Sequence, residues 1–155
     1  MAEATQENTQ PLLSMEKIYV KDLSLEIPNA PKIFLERENP QIDVQVHTQA
    51  ASIEEDMFEV VVMATVTAKL GEKVMFLIEA KQAGIFRFRN VPAADLEQVL
   101  AVMCPNILFP YLREVISDVA TRAGFAPVLL NPFNFDVLYQ QHKQQSYAAL
   151  SATAH

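Results

Sequence analysis

The single thiol of this 155-residue sequence is the first residue to consider as a nucleophile. Cys104 would act as a nucleophile only with a base nearby and an exposed, electropositive setting. It stands instead between Val102-Met103 and Pro105, among apolar residues. This setting favours a buried structural thiol over a catalytic one.

The histidines, glycines and neighbouring carboxylates offer no better site for chemistry. The histidines are widely spaced and have no ligand-like neighbours, so the sequence predicts no metal site. The three glycines form no phosphate-cradling loop, which argues against the familiar kinds of nucleotide binding. The run Glu54-Glu55-Asp56 indicates a solvated loop before a strand rather than an acid–base pair. We therefore expect a protein that is not an enzyme and that uses no cofactor.

Charge and cysteine usage limit the partners and the compartment. The sequence has 19 Asp plus Glu against 12 Lys plus Arg, a net charge of −7, which argues against a nucleic-acid surface. One cysteine allows no internal disulfide and fits a reducing compartment. The N-terminus carries Glu3 and Glu7 but no basic residue, and no apolar run approaches the ~20 residues of a membrane span. These features predict a cytoplasmic protein that does not insert directly into a membrane.

Four segments have the alternation of strands. The third, at 57–70, is apolar on both faces, which suggests burial on both sides. The short turn at Gly71 predicts a hairpin between the third and fourth strands. The fourth strand is predicted to continue past a bend at Gly84. The four predicted strands span 18–27, 42–48, 57–70 and 74–82, with 85–88 as the continuation of the fourth.

After the strands, the apolar period becomes helical. A first helix is predicted from Pro92 and is broken at Cys104-Pro105-Asn106. A second helix runs to Arg122, with Gly124 as its C-terminal cap. A proline-rich linker at 127–132 and a last helix from Asn134 follow. Strands before helices predict an α+β fold, a four-stranded antiparallel sheet packed against helices. Residues 1–14 are predicted to be a disordered tail, 15–143 a single domain and 144–155 a flexible C-terminal tail or frayed helix.

Four separated segments resemble the SecB family of protein-export chaperones. They occur in the family's order and cover about residues 15–142 in one register. The run at 104–114 is the most specific of them. The four segments are 19–31 (YVKDLSLEIPNAP), 59–72 (EVVVMATVTAKLGE), 104–114 (CPNILFPYLRE) and 130–138 (LNPFNFDVL).

The resemblance implies a chaperone of the holdase type. Such a protein would bind unfolded precursor polypeptides in the cytosol without ATP, keep them competent for translocation and deliver them to the motor SecA. It also implies a homotetramer built as a dimer of dimers.

The resemblance implies an acidic docking site for SecA, including its basic, zinc-bearing C-terminal segment. The matching residues are Asp22, Glu26, Leu77 and Glu79. Period two places Asp22 and Glu26 on one strand face, and Leu77 and Glu79 on one face of another strand. Without the resemblance, an ordinary polar sheet face would be the favoured explanation of these residues.

The resemblance also implies a long apolar groove for clients. A groove of apolar side chains would bind the apolar side chains that an unfolded chain exposes. Core packing competes with this interpretation at each position. The residues assigned to the groove are Ile42, Val44 and Val46 on the second strand, Ile85, and Leu138 with Tyr139 on the last helix.

Two other classes of function stay open at this point. The same fold could serve one dedicated partner, as an antitoxin-associated chaperone does, instead of many precursors. A small-molecule enzyme is the third hypothesis, which a specific ligand would support.

Overall fold

A four-stranded antiparallel sheet with helices on one face forms the protein, as the sequence predicts. The computed structural model describes residues 10–153, so most of the predicted N-terminal tail and the last two residues lie outside the described part. The strands are β1 (Leu12–Glu26), β2 (Gln41–Glu54), β3 (Met57–Leu70) and β4 (Lys73–Arg89), in the spatial order β1-β4-β3-β2. The helices are a 3₁₀ turn (Lys32–Leu35), α1 (Ala93–Gln98), a π segment (Val99–Met103), α2 (Cys104–Arg122) and α3 (Phe135–Thr153).

The central hairpin β3–β4 forms the middle of the sheet and matches its prediction. β3 has the predicted bounds, and Gly71 adopts the positive φ of 59° that the tight turn requires. Val60, Val62 and Val66 are fully buried on the face that packs against α2. One face of β3 packs against α2, and Val61 on the opposite face is also buried.

The outer strands are longer than predicted. β1 begins at Leu12, inside the range assigned to the N-terminal tail, and β2 extends to Glu54 instead of residue 48. The register of β1 shifts between Met15 and Lys17 and again between Val20 and Asp22. The first shift interrupts the period-two pattern just before the predicted strand, which explains why the sequence indicated β1 only from residue 18.

Gly84 does not bend β4, which continues unbroken through it. Gly84 is buried under α2, and a Cβ atom there would lie 2.9 Å from Cδ2 of Leu108 and 2.8 Å from Cε2 of Phe86. Glycine is therefore required by the close approach of the helix to the sheet. The predicted bend is wrong because a glycine in a strand can signal close packing as well as a kink.

Pro105 does not break the helix, contrary to the prediction. The helical segment is continuous from Ala93 to Arg122 and passes through the π segment immediately before Pro105. There the amide of Cys104 donates to the carbonyl of Val99, five residues earlier. Because proline crowds the carbonyl of the preceding turn, the wider π turn lets the helix continue.

This continuous helix contradicts the expectation that no apolar run approaches the length of a membrane span. By length and composition alone, Ala93–Arg122 is apolar enough to cross a membrane, with a mean hydropathy of 1.4 over an 18-residue window. Core helices of soluble proteins pass the same test. Here Leu108, Leu112 and Ile116 are fully buried in the core beneath α2.

The ends of α2 and α3 follow the predicted signals. α2 ends at Arg122, and Gly124 has a positive φ of 93° just beyond it. α3 begins one residue after Asn134, whose Oδ1 accepts a hydrogen bond of 3.1 Å from the amide of Val137. Residues 144–153 continue α3 as helix, and the described side chains there are exposed. Their flexibility stays a prediction.

The close approach at Gly84 leads to a stability test. Gly84→Ala should lower the free energy of unfolding by about 1–3 kcal/mol, because the added methyl overpacks the core beneath α2. Urea denaturation measures the change. In a background with Leu108→Ala, the same substitution should cost clearly less, and strictly additive costs would contradict the contact.

Candidate functional site

An apolar trough runs beside β2 on the helical side of the sheet. Ile42, Val44 and Val46 pair with Ala68, Val66 and Ala64 of β3, so they share the face that packs against the helices. The helices do not reach far enough to cover them, and Ile42 and Val44 remain 48% and 40% exposed. The opposite wall is the connection between α2 and α3 together with Phe109 of α2. They enclose about 410 Å³, lined by Ile42, Val44, Val46, Phe109 and the connection Pro127, Val128, Leu129, Leu130, Asn131, Pro132 and Phe133.

A second, more aromatic pocket adjoins the trough next to Ile42. It shares Ile42, Pro127 and Val128 with the first pocket and has a volume of about 460 Å³. Its aromatic side is a cluster in which Phe125 lies 5.1 Å from Phe34 and 4.8 Å from Phe76, measured between ring centroids. Adjacent rings at these distances present a broad, rigid apolar surface.

A third pocket lies further along β2 and contains the two α3 residues assigned to the groove. Leu138 and Tyr139 line about 340 Å³ together with Thr48 of β2 and Leu100 of the π segment. Thr48 follows Val46 on the same face of β2, so this pocket lies next along the strand. We use the name "β2 groove" for these three pockets together.

The structure brings five of the six predicted groove residues to the β2 groove, and Ile85 is the exception. Ile85 pairs with Glu59 of β3 and Lys17 of β1, on the face of the sheet away from the helices. The placement of Ile85 in the groove is wrong because its neighbour Gly84 faces the helices, and successive side chains alternate between faces.

Sequence reasoning missed most of the far wall of the groove. The run 127–132 was interpreted as a linker because prolines dominate it, yet Val128 and Leu130 are buried in the core. Leu129 between them is 74% exposed. Three consecutive apolar residues between the prolines were the available signal, because a free linker has no need of them. The aromatic pocket, with Phe34 and Phe125, gave no comparable pattern.

The four predicted docking residues share the other face of the sheet. Glu26 pairs with Leu77, Ser24 with Glu79, and Asp22 with Lys81. Directly opposed residues of neighbouring strands project to the same side, so Asp22, Glu26, Leu77 and Glu79 form one surface patch, named here the acidic patch. Glu79 has the uncharged Ser24 and Thr65 on either side of it. None of the ion pairs found among residues 10–153 uses these three carboxylates.

Further along this face, three polar side chains connect β1 to β3 across β4. Glu59 accepts hydrogen bonds from the Tyr19 hydroxyl and from Nζ of Lys21, the latter at 2.6 Å. Tyr19 pairs with the small residue Ala83, which leaves room for its ring to reach over β4. The hydrogen bonds from Lys21 and Tyr19 lower the pKa of Glu59. Burial, with the bond to Glu59, raises the pKa of Tyr19 to about 12.

Cys104 is buried in the core, as predicted. Burial raises the pKa of its thiol to about 12, so the thiolate that a nucleophile requires is strongly disfavoured. The thiol has a packing role beside Pro105 and Leu108.

Comparison with known proteins identifies the family. The family model of SecB, described as preprotein translocase subunit SecB, matches residues 6–146. The chain belongs to the SecB family. It is 62% identical over 146 residues to the protein-export protein SecB of Nitrosomonas europaea, covering 93% of this chain and 91% of that protein. It is 59% identical over 140 residues to that of Nitrosospira multiformis, covering 90% and 88%.

A solved structure shows the same fold at low identity. It is a SecB-like chaperone of Mycobacterium tuberculosis in complex with a peptide from the HigA1 antitoxin, with a TM-score of 0.66. At 16% identity, with 78% of this chain and 90% of that chain covered, the likeness shows the SecB fold alone. It therefore does not favour a dedicated antitoxin partner for this chain.

Membership of the SecB family gives this chain a chaperone role in protein export. The family is one of chaperones and not of enzymes, which agrees with the interpretation of Cys104 as structural. On this chain, the β2 groove is an exposed apolar surface and the acidic patch is an exposed charged one.

The contact of Glu59 with Lys21 and Tyr19 predicts a pH-dependent stability. Because its pKa is lowered in the folded state, Glu59 stabilises the protein above its ordinary pKa of 4.5, and the contribution is lost as pH falls through the lower folded value. Glu59→Gln should cost up to about 1 kcal/mol at neutral pH, since water screens the partly exposed Lys21, and progressively less as pH falls below 4.5 towards and through the lowered folded value. Urea midpoints over this pH range measure the change. The control is Glu55→Gln in the β2–β3 turn, and an equal loss in both variants would contradict the assignment.

Proposed function

We propose that this chain is an ATP-independent holdase that binds unfolded precursor polypeptides in the β2 groove and delivers them to SecA. The observation that carries the proposal is the open apolar trough beside β2 in a member of the SecB family. Large apolar side chains that a closed core would hide are left accessible there.

The groove suits an extended, unfolded chain for two physical reasons. Burial of apolar surface lowers the free energy by about 25 cal/mol per Å², so a segment with scattered apolar side chains gains from each pocket it fills. β2 is also the edge of the sheet, and an edge strand presents backbone groups to which a second strand can bond. Neither contribution depends on a particular client sequence, which suits a general holdase.

Binding of this kind needs no nucleotide. Each pocket contributes a modest apolar contact, so a client can be bound and released one segment at a time. Several such grooves on one oligomer would hold a long client by avidity and still exchange each segment. Transfer of a client to SecA would then depend on the affinity of SecA for that client relative to the affinity of the groove.

SecA is proposed to dock on the acidic patch. Glu79 and Glu26 flank the apolar Leu77 on this face, and none of the three acidic residues forms an ion pair among the described residues. An acidic surface of this kind attracts a basic segment, such as the zinc-bearing C-terminal segment of SecA, at long range and in a fixed register. The patch and the β2 groove lie on opposite faces, so a client in the groove would not occlude SecA.

Two exposed apolar surfaces support a homotetramer built as a dimer of dimers. Val20 and Leu23 of β1 are 45% and 44% exposed at the other edge of the sheet. Val99, Val102 and Ile107 form an apolar surface around Met103, itself 49% exposed. Apolar patches of this kind mark sites of association. We propose the cytoplasm as the compartment of this protein, and the net negative charge and the single, buried thiol are consistent with it.

Client binding leads to a paired substitution on β2. The wild-type protein should slow the refolding of a destabilised precursor without ATP. Val44→Asp should weaken this effect by about tenfold, because a carboxylate left unpaired in an apolar contact costs about 1–3 kcal/mol. Gln45→Asp adds the same charge one residue away on the opposite face and should behave like the wild type. Equal effects of both variants, or no delay by the wild type, would count against the groove.

Docking of SecA is tested by reversing one charge. Glu79→Lys should weaken binding to SecA by about tenfold at low salt, because a basic segment then meets a like charge. Calorimetry measures the affinity, while light scattering and the refolding assay should show an unchanged oligomer and unchanged client binding. Glu55→Lys, the same change in the exposed β2–β3 turn, is the matched control. Unchanged affinity in a folded Glu79→Lys variant would remove the assignment.

A further inference from the structure

Arg113 forms a hydrogen bond with the connection 127–132, the part of the β2 groove wall that was interpreted from the sequence as a linker. Arg113 lies on α2, one turn after Phe109, and its Nε donates a hydrogen bond of 2.8 Å to the carbonyl of Leu130. Its guanidinium carbon also lies 5.1 Å from the centroid of the Phe109 ring. Phe109 and Leu130 both line the first pocket of the groove. A single side chain therefore contacts two sides of that pocket.

The connection has little else to fix its backbone. From Ala126 to Phe133, the bond from Arg113 is the one hydrogen bond to a backbone group found within residues 10–153. The side chains of Val128 and Leu130 are buried in the core, but apolar contacts do not fix the position of a backbone closely. A charged donor on a partly buried carbonyl is among the stronger hydrogen bonds in proteins.

The ring beneath Arg113 is also fixed in a chain of aromatic contacts. Phe109 lies 5.7 Å from Phe135 and 6.4 Å from Phe133, between ring centroids. Phe133 is the last residue of the connection and Phe135 the first of α3. The position of Arg113 is thus coupled to the middle of the groove wall through Leu130 and to its C-terminal end through the rings.

We propose that Arg113 is a positioning residue for client binding, which holds the connection 126–133 at the distance from β2 that keeps the groove open and preformed. The inference rests on the proposed function, because it assigns to Arg113 the shape of the site in which clients would bind. A preformed wall spares the client the entropy of ordering it. Arg113 need not touch the client to act in this way.

The test compares Arg113→Met, Arg113→Lys and the wild type by amide hydrogen exchange and by binding of a fluorescently labelled, permanently unfolded polypeptide. Methionine keeps an unbranched apolar stem over Phe109 but donates no hydrogen bond, whereas lysine keeps a charged donor. Arg122→Met, on the exposed side of the same helix, removes only an ion pair with Asp118 and is the matched control.

Arg113→Met should speed exchange in peptides covering 126–134 and weaken polypeptide binding by about tenfold, the value of one charge-assisted hydrogen bond. Arg113→Lys should recover part of both effects, and Arg122→Met should change neither. Unchanged exchange at 126–134, or faster exchange throughout the chain with a lower melting temperature, would overturn the positioning role. A wild type that does not bind the polypeptide would overturn the proposed function instead, and the exchange comparison would still decide whether Arg113 holds the wall.

Discussion

An apolar sheet face that is wider than its helical cover is the constraint on which this structure depends. α2 packs over the central strands β3 and β4, where Val62, Ile78 and Leu112 exclude water completely. The sheet continues on either side of that helix, and the apolar side chains of the outer strands remain accessible. The hydrophobic effect therefore stabilises the middle of the sheet, while apolar surface at both edges remains exposed to water. In the proposed function, clients and other subunits cover what the chain itself leaves exposed.

The pleat of the sheet separates the two kinds of surface. Side chains of one strand alternate between faces, so a single strand can present an apolar row to the helical side and a polar row to the other. β2 does this with Val44 and Gln45, and β4 with Ile78 and Glu79. In the proposed function, this separation lets a client occupy the apolar face while SecA contacts the acidic one, so that neither partner has to displace the other.

Close contacts between helices and sheet determine how rigid these surfaces are. Gly84 lets Leu108 approach the backbone of β4, and the π segment lets the helix continue past Pro105 to reach that position. On the groove side, Arg113 and the aromatic rings join the connection to α2. The same helix thus seals the core on one side and supports a binding wall on another, which links the stability of the core to the shape of the groove.

The sequence by itself determined that there are four strands followed by the main helices, and that Ile42, Val44 and Val46 share one face of β2. These follow from local periodicity, which reports the face of an element directly. It could not place Ile85, because a regular alternation does not say which face a helix will cover. It could not reveal that 127–133 forms a groove wall, or that Pro105 continues a helix. Those features depend on contacts between residues distant in the chain, such as Arg113 with Leu130 and Gly84 with Leu108, and only the tertiary structure decides which distant residues meet.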